Sequence, residues 1–109
     1  MIERGSGTII TTSSYAALTP GLLGGASYSA AKAASYNLMR GISAELKNKG
    51  IRATTILPAE VDTPILNNRP LNPDAAARAT MMMPEDVAKA ILLCATLPGR
   101  TVIEEIVMS

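Results

Sequence analysis

The sequence predicts an α/β protein built on a mainly parallel, doubly wound sheet of about three strands in the order β-α-β-α-β. Three observations carry this. Short β-branched runs, GTIITT, IRATTIL and TVIEEIVM, alternate with two stretches of helical period. The longer helical stretch joins the first two runs and is followed by the second with almost no connection, as in a parallel crossover. A chain of 109 residues, 48% hydrophobic and 17% charged, lies far from disordered composition and is of a size for one domain, residues 1–109.

Each element has its own signals. The first run follows Gly5 and Gly7 and ends in Ser13 and Ser14, a strand emerging into a loop. The loop SYAALTPGLLGG is punctuated by Pro20, Gly21, Gly24 and Gly25. From Ser27 to Asn48 the positions Ala31, Ser35, Leu38, Met39, Ile42 and Leu46 keep a helical period, and Gly50 supplies the stop. IRATTILPA is the second strand, closed by Pro58. The Pro- and Asn-rich stretch from Asp62 to Met83 predicts a mobile excursion with at most a short helix. Pro84 opens the next helix, with Glu85 and Asp86 in its first turn and an apolar face of Val87, Ala88, Ile91, Leu92 and Ala95. Pro98 and Gly99 end it, and TVIEEIVM is the last strand.

Composition narrows the function. A formal net charge of +1, without Lys and Arg clustered among aromatics, argues against nucleic acid. No apolar run is long enough for a signal peptide or a membrane span, so a soluble protein is expected. The single cysteine, Cys94 in AILLCATL, reads as a buried structural thiol and fits a reducing, cytoplasmic setting. No His, Cys or carboxylate spacing marks a metal site. Asp62 reads as ordering the turn before Pro64, Glu104 and Glu105 as edge or solvent charges, and Met81, Met82 and Met83 as gap fillers.

Ligands of parallel sheets bind beyond the carboxyl ends of the strands, here Ser13, Ser14 and the PAEVDT turn. With no histidine in the chain, acid–base chemistry falls to other groups, and GASYSAAKAAS offers one. Tyr28 and Lys32, four apart on a helix, share a face. A phenol titrates near pH 10 in water; a neighbouring ammonium favours phenolate and brings it towards general acid–base work. A serine hydroxyl from the strand end could polarise the same substrate oxygen. A Tyr and a Lys at this spacing also occur by chance, with the lysine snorkelling to water; the surrounding strings give the pair its weight.

Those strings, TIITTSS, SYSAAKAAS, AELKNKGIRATTILPAEVDTPI and PEDVAKAILLCATLP through EEIVM, occur in one order. Together the chain resembles the C-terminal half of the short-chain dehydrogenase/reductase family. The resemblance implies a partial Rossmann-like fold and an oxidoreductase that interconverts a small-molecule alcohol and carbonyl with NAD or NADP. It implies that Tyr28 is the proton donor or acceptor, and that Lys32 binds the nicotinamide ribose and lowers the tyrosine pKa. Ser14 orients the substrate oxygen, with Ser13 as the alternative because loop length leaves a one-residue ambiguity. Thr63 and the backbone around Pro58 and Val61 approach the nicotinamide amide, and the methionines could line a lid. Ala59 stands where the family usually has glycine. The 109 residues contain neither the family's Gly-rich phosphate loop nor its proton-relaying asparagine. Weak dinucleotide affinity and impaired activity are therefore expected. The first strand, paired on both sides in the family, is expected to show a bare edge and the sheet to be completed in a homo-oligomer. The alternative is a non-catalytic remnant or self-assembling unit that retains its Ser, Tyr and Lys.

Overall fold

The computed structural model describes residues 1–109. The elements are β1 (Gly7–Thr12), α1 (Gly25–Leu46), β2 (Ile51–Pro58), α2 (Ala75–Ala79), α3 (Pro84–Thr96) and β3 (Glu105–Met108). The sheet order is β1-β2-β3 and both pairings are parallel, Gly7 opposite Ile51 through Thr12 opposite Ile56, and Thr55 opposite Glu105 through Pro58 opposite Met108.

Strand β2 has partners on both edges, and every residue from Ala53 to Pro58 is buried. A continuous β-branched and apolar run suits a strand covered on both faces. Its alternation assigns the faces. Thr11 Oγ1 donates to Met39 Sδ at 3.2 Å and Ser13 Oγ to the Lys32 carbonyl at 2.9 Å, so the odd residues of β1 face α1. Arg52 points the other way. It donates to Thr8 Oγ1 at 3.0 and 2.8 Å and to the carbonyls of Leu97, Pro98 and Thr101 at 2.9, 3.1 and 3.0 Å, tying the end of α3 across β2 to β1. The helices therefore lie on opposite faces, as double winding requires.

Helix α1 begins two residues before the periodic stretch and passes at Lys47–Lys49 into a 3-10 turn. Gly50 ends it at φ +81°, where a side chain would be strained and a methyl would collide with the Gly5 carbonyl. Within α1, Met39 is buried and Ser35, Ile42 and Leu46 are half-buried, whereas Leu38, expected inside, is 63% exposed. Likewise α3 turns Val87, Ile91 and Cys94 inward and leaves Ala88, Leu92 and Ala95 outside. Both apolar arcs are wider than the three-stranded sheet can cover, which is why the period overestimates the buried face. Cys94 is buried as expected; burial pushes its thiol above the ordinary value, opposed by the Arg52 charge.

The stretch expected to be a mobile excursion is instead pinned to the end of β2. Pro64–Asn68 forms a 3-10 turn, and Asp74 caps α2 by accepting from the Ala77 N–H at 2.8 Å. Val61 and Met82 form a parallel bridge, Arg78 reaches Asp62 at 3.5 Å and Asn67 at 2.7 Å, and Arg69 reaches Glu60 at 2.9 Å. These ties are polar and fall at irregular spacings, so hydrophobic periodicity could not announce them.

The radius of gyration is 15.6 Å, against about 13 Å for a compact domain of this length. Only 12 of the 109 residues are buried. The shape is a single sheet with one helix on each face and both edge strands open.

Glu105 is an exposed charge on the edge strand, as expected, and there it accepts a hydrogen bond from the Tyr36 hydroxyl at 2.8 Å. This hydrogen bond first, then desolvation and the glutamate's charge, raise the Tyr36 pKa above 10.0, against an opposing effect from Arg40. A phenol that holds its proton more tightly when folded stabilises the fold fully below its unfolded pKa, and that contribution is lost as pH rises through the folded value. Urea denaturation of the wild type should therefore show a stability loss setting in above about pH 10 that Tyr36→Phe diminishes. Identical alkaline profiles for the two would contradict this.

Candidate active site

The site forms where the sheet's carboxyl edge meets the first turns of α1. Ser14 has extended backbone and starts the 3-10 turn Tyr15–Ala17, its Oγ accepting from the Ala16 N–H at 3.1 Å. Adjacent residues on extended chain point to opposite sides, which separates the two serines. Ser13 is buried, and its hydroxyl is spent on the Lys32 carbonyl; Ser35 Oγ lies 2.9 Å from the same carbonyl and 3.3 Å from Ser13 Oγ. Ser13 thus fastens β1 to α1. Ser14 instead lines a cleft of about 740 Å³ together with Tyr28.

Tyr28 stands one turn into α1 and is 44% exposed. Its ring rests on Gly24: a methyl there would lie 2.6 Å from Cδ1. The Lys32 ammonium sits over that ring, 5.8 Å from its centroid, as helical spacing requires. Lys32 is half-buried and does not itself line the cleft. Next to the pair, the buried Ser29 hydroxyl has no partner within the chain.

The second wall comes from Ala59 and Glu60 in the turn after β2; Pro58, Val61 and Thr63, expected at the cofactor, stand beside the cleft and do not line it. Pro58 is buried at the strand end, and the Ala59 N–H continues the β2–β3 pairing to the Met108 carbonyl at 2.8 Å. No non-glycine residue has positive φ, so alanine sits at position 59 without backbone strain. The bridge to Met82 uses the Glu60 carbonyl and the Asp62 N–H, at 3.3 and 2.9 Å. It leaves the N–H and C=O of Val61 without partners in the chain, and the Thr63 side chain caps nothing. A carboxamide needs one acceptor and one or two donors. The open backbone groups of Val61 and the hydroxyl of Thr63 supply that complement, so the donor set fits a nicotinamide amide.

Other lining residues were not anticipated from the sequence. Leu22 and Leu23 from the glycine-rich loop and Ile65 from the 3-10 turn make the cleft largely apolar, and the Glu60–Arg69 ion pair adds a charged patch. Only the fold brings these together. No motif joins Glu60 to Arg69, and the loop leucines lie outside any periodic pattern.

Parallel strands, helices on both faces and a cleft at the carboxyl edge define a Rossmann-type α/β protein, represented here by three adjacent strands of its sheet. The family model of the short chain dehydrogenases matches residues 1–74, and the chain belongs to that family. The chain is 36% identical over 84 residues to a 2,5-dichloro-2,5-cyclohexadiene-1,4-diol dehydrogenase of Sphingobium indicum, an alignment covering 77% of this chain and 32% of the relative. It is 32% identical over 106 residues to an uncharacterized oxidoreductase of Staphylococcus aureus, covering 97% of this chain and 43% of the other. Among solved structures, the closed form of a serine dehydrogenase complexed with NADP+ superimposes with a TM-score of 0.83 at 31% identity, over 99% of this chain and 46% of that one. The chain thus spans 32% to 46% of the length of these relatives.

The two serines should separate by experiment. Ser13→Ala removes a buried hydroxyl bond and should lower stability by about 1–2 kcal/mol in urea denaturation. Ser14→Ala loses a partly exposed cap and should cost under about 1 kcal/mol. The reverse order would show the hydroxyls to be exchanged in role.

Proposed function

We propose that this chain carries the proton-transfer end of an NAD(P)-dependent oxidoreductase that interconverts an alcohol and a carbonyl. One observation carries the reading: Ser14 and Tyr28 open into one cleft, with the Lys32 ammonium held over the tyrosine ring. A bound nicotinamide supplies or accepts hydride. Tyr28 gives or takes the proton at the substrate oxygen, and the Ser14 hydroxyl holds that oxygen by a hydrogen bond. Lys32 holds its ammonium over the Tyr28 ring and offers donors to ribose hydroxyls. Val61 and Thr63, beyond the buried Pro58, hold the carboxamide. The names of two relatives, a cyclohexadiene-diol dehydrogenase and a serine dehydrogenase bound to NADP+, support dehydrogenation of a hydroxyl-bearing small molecule.

These 109 residues offer no Gly-rich turn to bind a pyrophosphate, so their own dinucleotide affinity is poor. Titration with NADH and NADPH, followed by nicotinamide fluorescence, tests the assignment. The expected result is saturation only above the low micromolar range, weakened further by Lys32→Ala. Binding indifferent to both Lys32→Ala and Tyr28→Phe would remove these residues from the site, and no binding at all would favour the second reading.

That second reading is a non-catalytic, self-assembling unit, and it rests on the uncovered surface. The outer edge of β1 is unpaired, and α1 exposes Ala30, Ala34 and Gly41 beside Leu38. Small residues let two helices approach closely, and an open strand edge invites a second copy. In either reading the chain forms a homo-oligomer in the cytoplasm, without nucleic-acid or membrane partners. No helix is long and apolar enough to cross a membrane. Size-exclusion chromatography with light scattering should give a dimer or larger at micromolar concentration; a well-folded monomer there would refute the assembly.

A further inference from the structure

Glu60 and Arg69 line the same cleft as Ser14 and Tyr28, and besides tying the turn they place two charges between apolar walls. Arg69 donates through one nitrogen, Nη1, to one oxygen, Glu60 Oε2, at 2.9 Å. The other guanidinium nitrogens and Glu60 Oε1 have no partner in the chain. The side chains are 33% and 45% exposed, so the free edges of both are reachable by a ligand in the cleft. The pair is net neutral but presents an open donor edge beside an open acceptor.

This arrangement discriminates among small polar ligands. A lone carboxylate gains from Arg69 and is repelled by Glu60 at nearly the same range, and a lone ammonium meets the converse. A zwitterion gains at both ends, because its ammonium takes the free carboxylate oxygen while its carboxylate takes the free guanidinium edge. We propose that the Glu60–Arg69 pair is the specificity determinant of this cleft and selects an α-amino acid whose side-chain hydroxyl is presented to Ser14 and Tyr28. The inference rests on the oxidoreductase reading for the fate of that hydroxyl, but the recognition it describes needs no cofactor.

The test is therefore made without dinucleotide, on the full chain and on Tyr28→Phe, by following backbone amide shifts in NMR titrations. The probes are L-serine, 3-hydroxypropionate, which lacks the ammonium, and ethanolamine, which lacks the carboxylate. L-serine should bind at least about tenfold more tightly than either and shift the amides around positions 60 and 69. Glu60→Gln keeps an acceptor for Arg69 and so keeps the turn folded, yet it should abolish the margin of L-serine over 3-hydroxypropionate; Arg69→Gln should abolish the margin over ethanolamine. Equal binding of the three probes, no saturation by L-serine, or margins that survive both variants would overturn the proposal. A failed NADPH titration leaves this readout intact, whereas intact NADPH binding with no zwitterion preference removes this inference alone.

Discussion

The parallel pairing of β2 on both of its edges is the constraint from which the rest follows. Parallel neighbours cannot be joined by a tight turn, so the chain must return across a face of the sheet each time. It does so through α1 on one face and α3 on the other. All three strands then end on the same side, and α1, running against them, begins there. The end of β1, the turn after β2 and the first turns of α1 must meet, and that meeting makes the cleft. The Ser13 hydroxyl on the Lys32 carbonyl fixes the height of the helix over the strand, one turn from Tyr28.

Such a thin body cannot rely on apolar burial alone, and the polar groups inside it show how it holds. Thr54 Oγ1 donates to the Ile103 carbonyl at 2.6 Å, satisfying a hydroxyl buried in the central strand. Arg52 gathers carbonyls released where α3 ends, where the helix dipole also favours a cation. A leucine in its place would leave those carbonyls to water and release the end of α3 from β1. The cost of an open sheet is thus met partly by directional bonds, which fix geometry better than they add net stability.

Much of this architecture was legible in the sequence because its signals are local. The β-branched runs marked β1, β2 and β3, the 3.6-residue period with Gly50 and Pro84 marked α1 and α3, and the four-residue spacing put Lys32 on the face of Tyr28. Legibility failed where the deciding contact is distant in sequence. Ser13 and Ser14 are chemically alike, and only the packing of Ser35 and Lys32 against one of them tells which hydroxyl is spent. Leu38 has the hydropathy and phase of a core residue but meets no neighbour to cover it. The bonds from Tyr36 to Glu105 and from Arg78 to Asn67 join residues that no period relates.

The same division separates the site into two parts of different stiffness. Tyr28 and Lys32 stand on α1 and Ser14 on the turn that leaves β1, and the buried Ser13 hydroxyl fastens β1 to α1. The proton transfer proposed above would need that rigidity, because its efficiency falls steeply with misplacement of the donor. Glu60, Ile65 and Arg69 stand on a segment held by the buried Leu66, the Val61–Met82 bridge and two partly exposed ion pairs, the last each contributing little. Changing residues there disturbs few buried contacts and leaves β2 and α1 in place. A cleft built this way can alter what it admits without moving Ser14 or Tyr28, and the Gly24–Tyr28 contact marks the seam. On one side of it lies the phenol, its ring against Gly24 where a methyl would displace it, and on the other lies the loop carrying Leu22 and Leu23 over the opening.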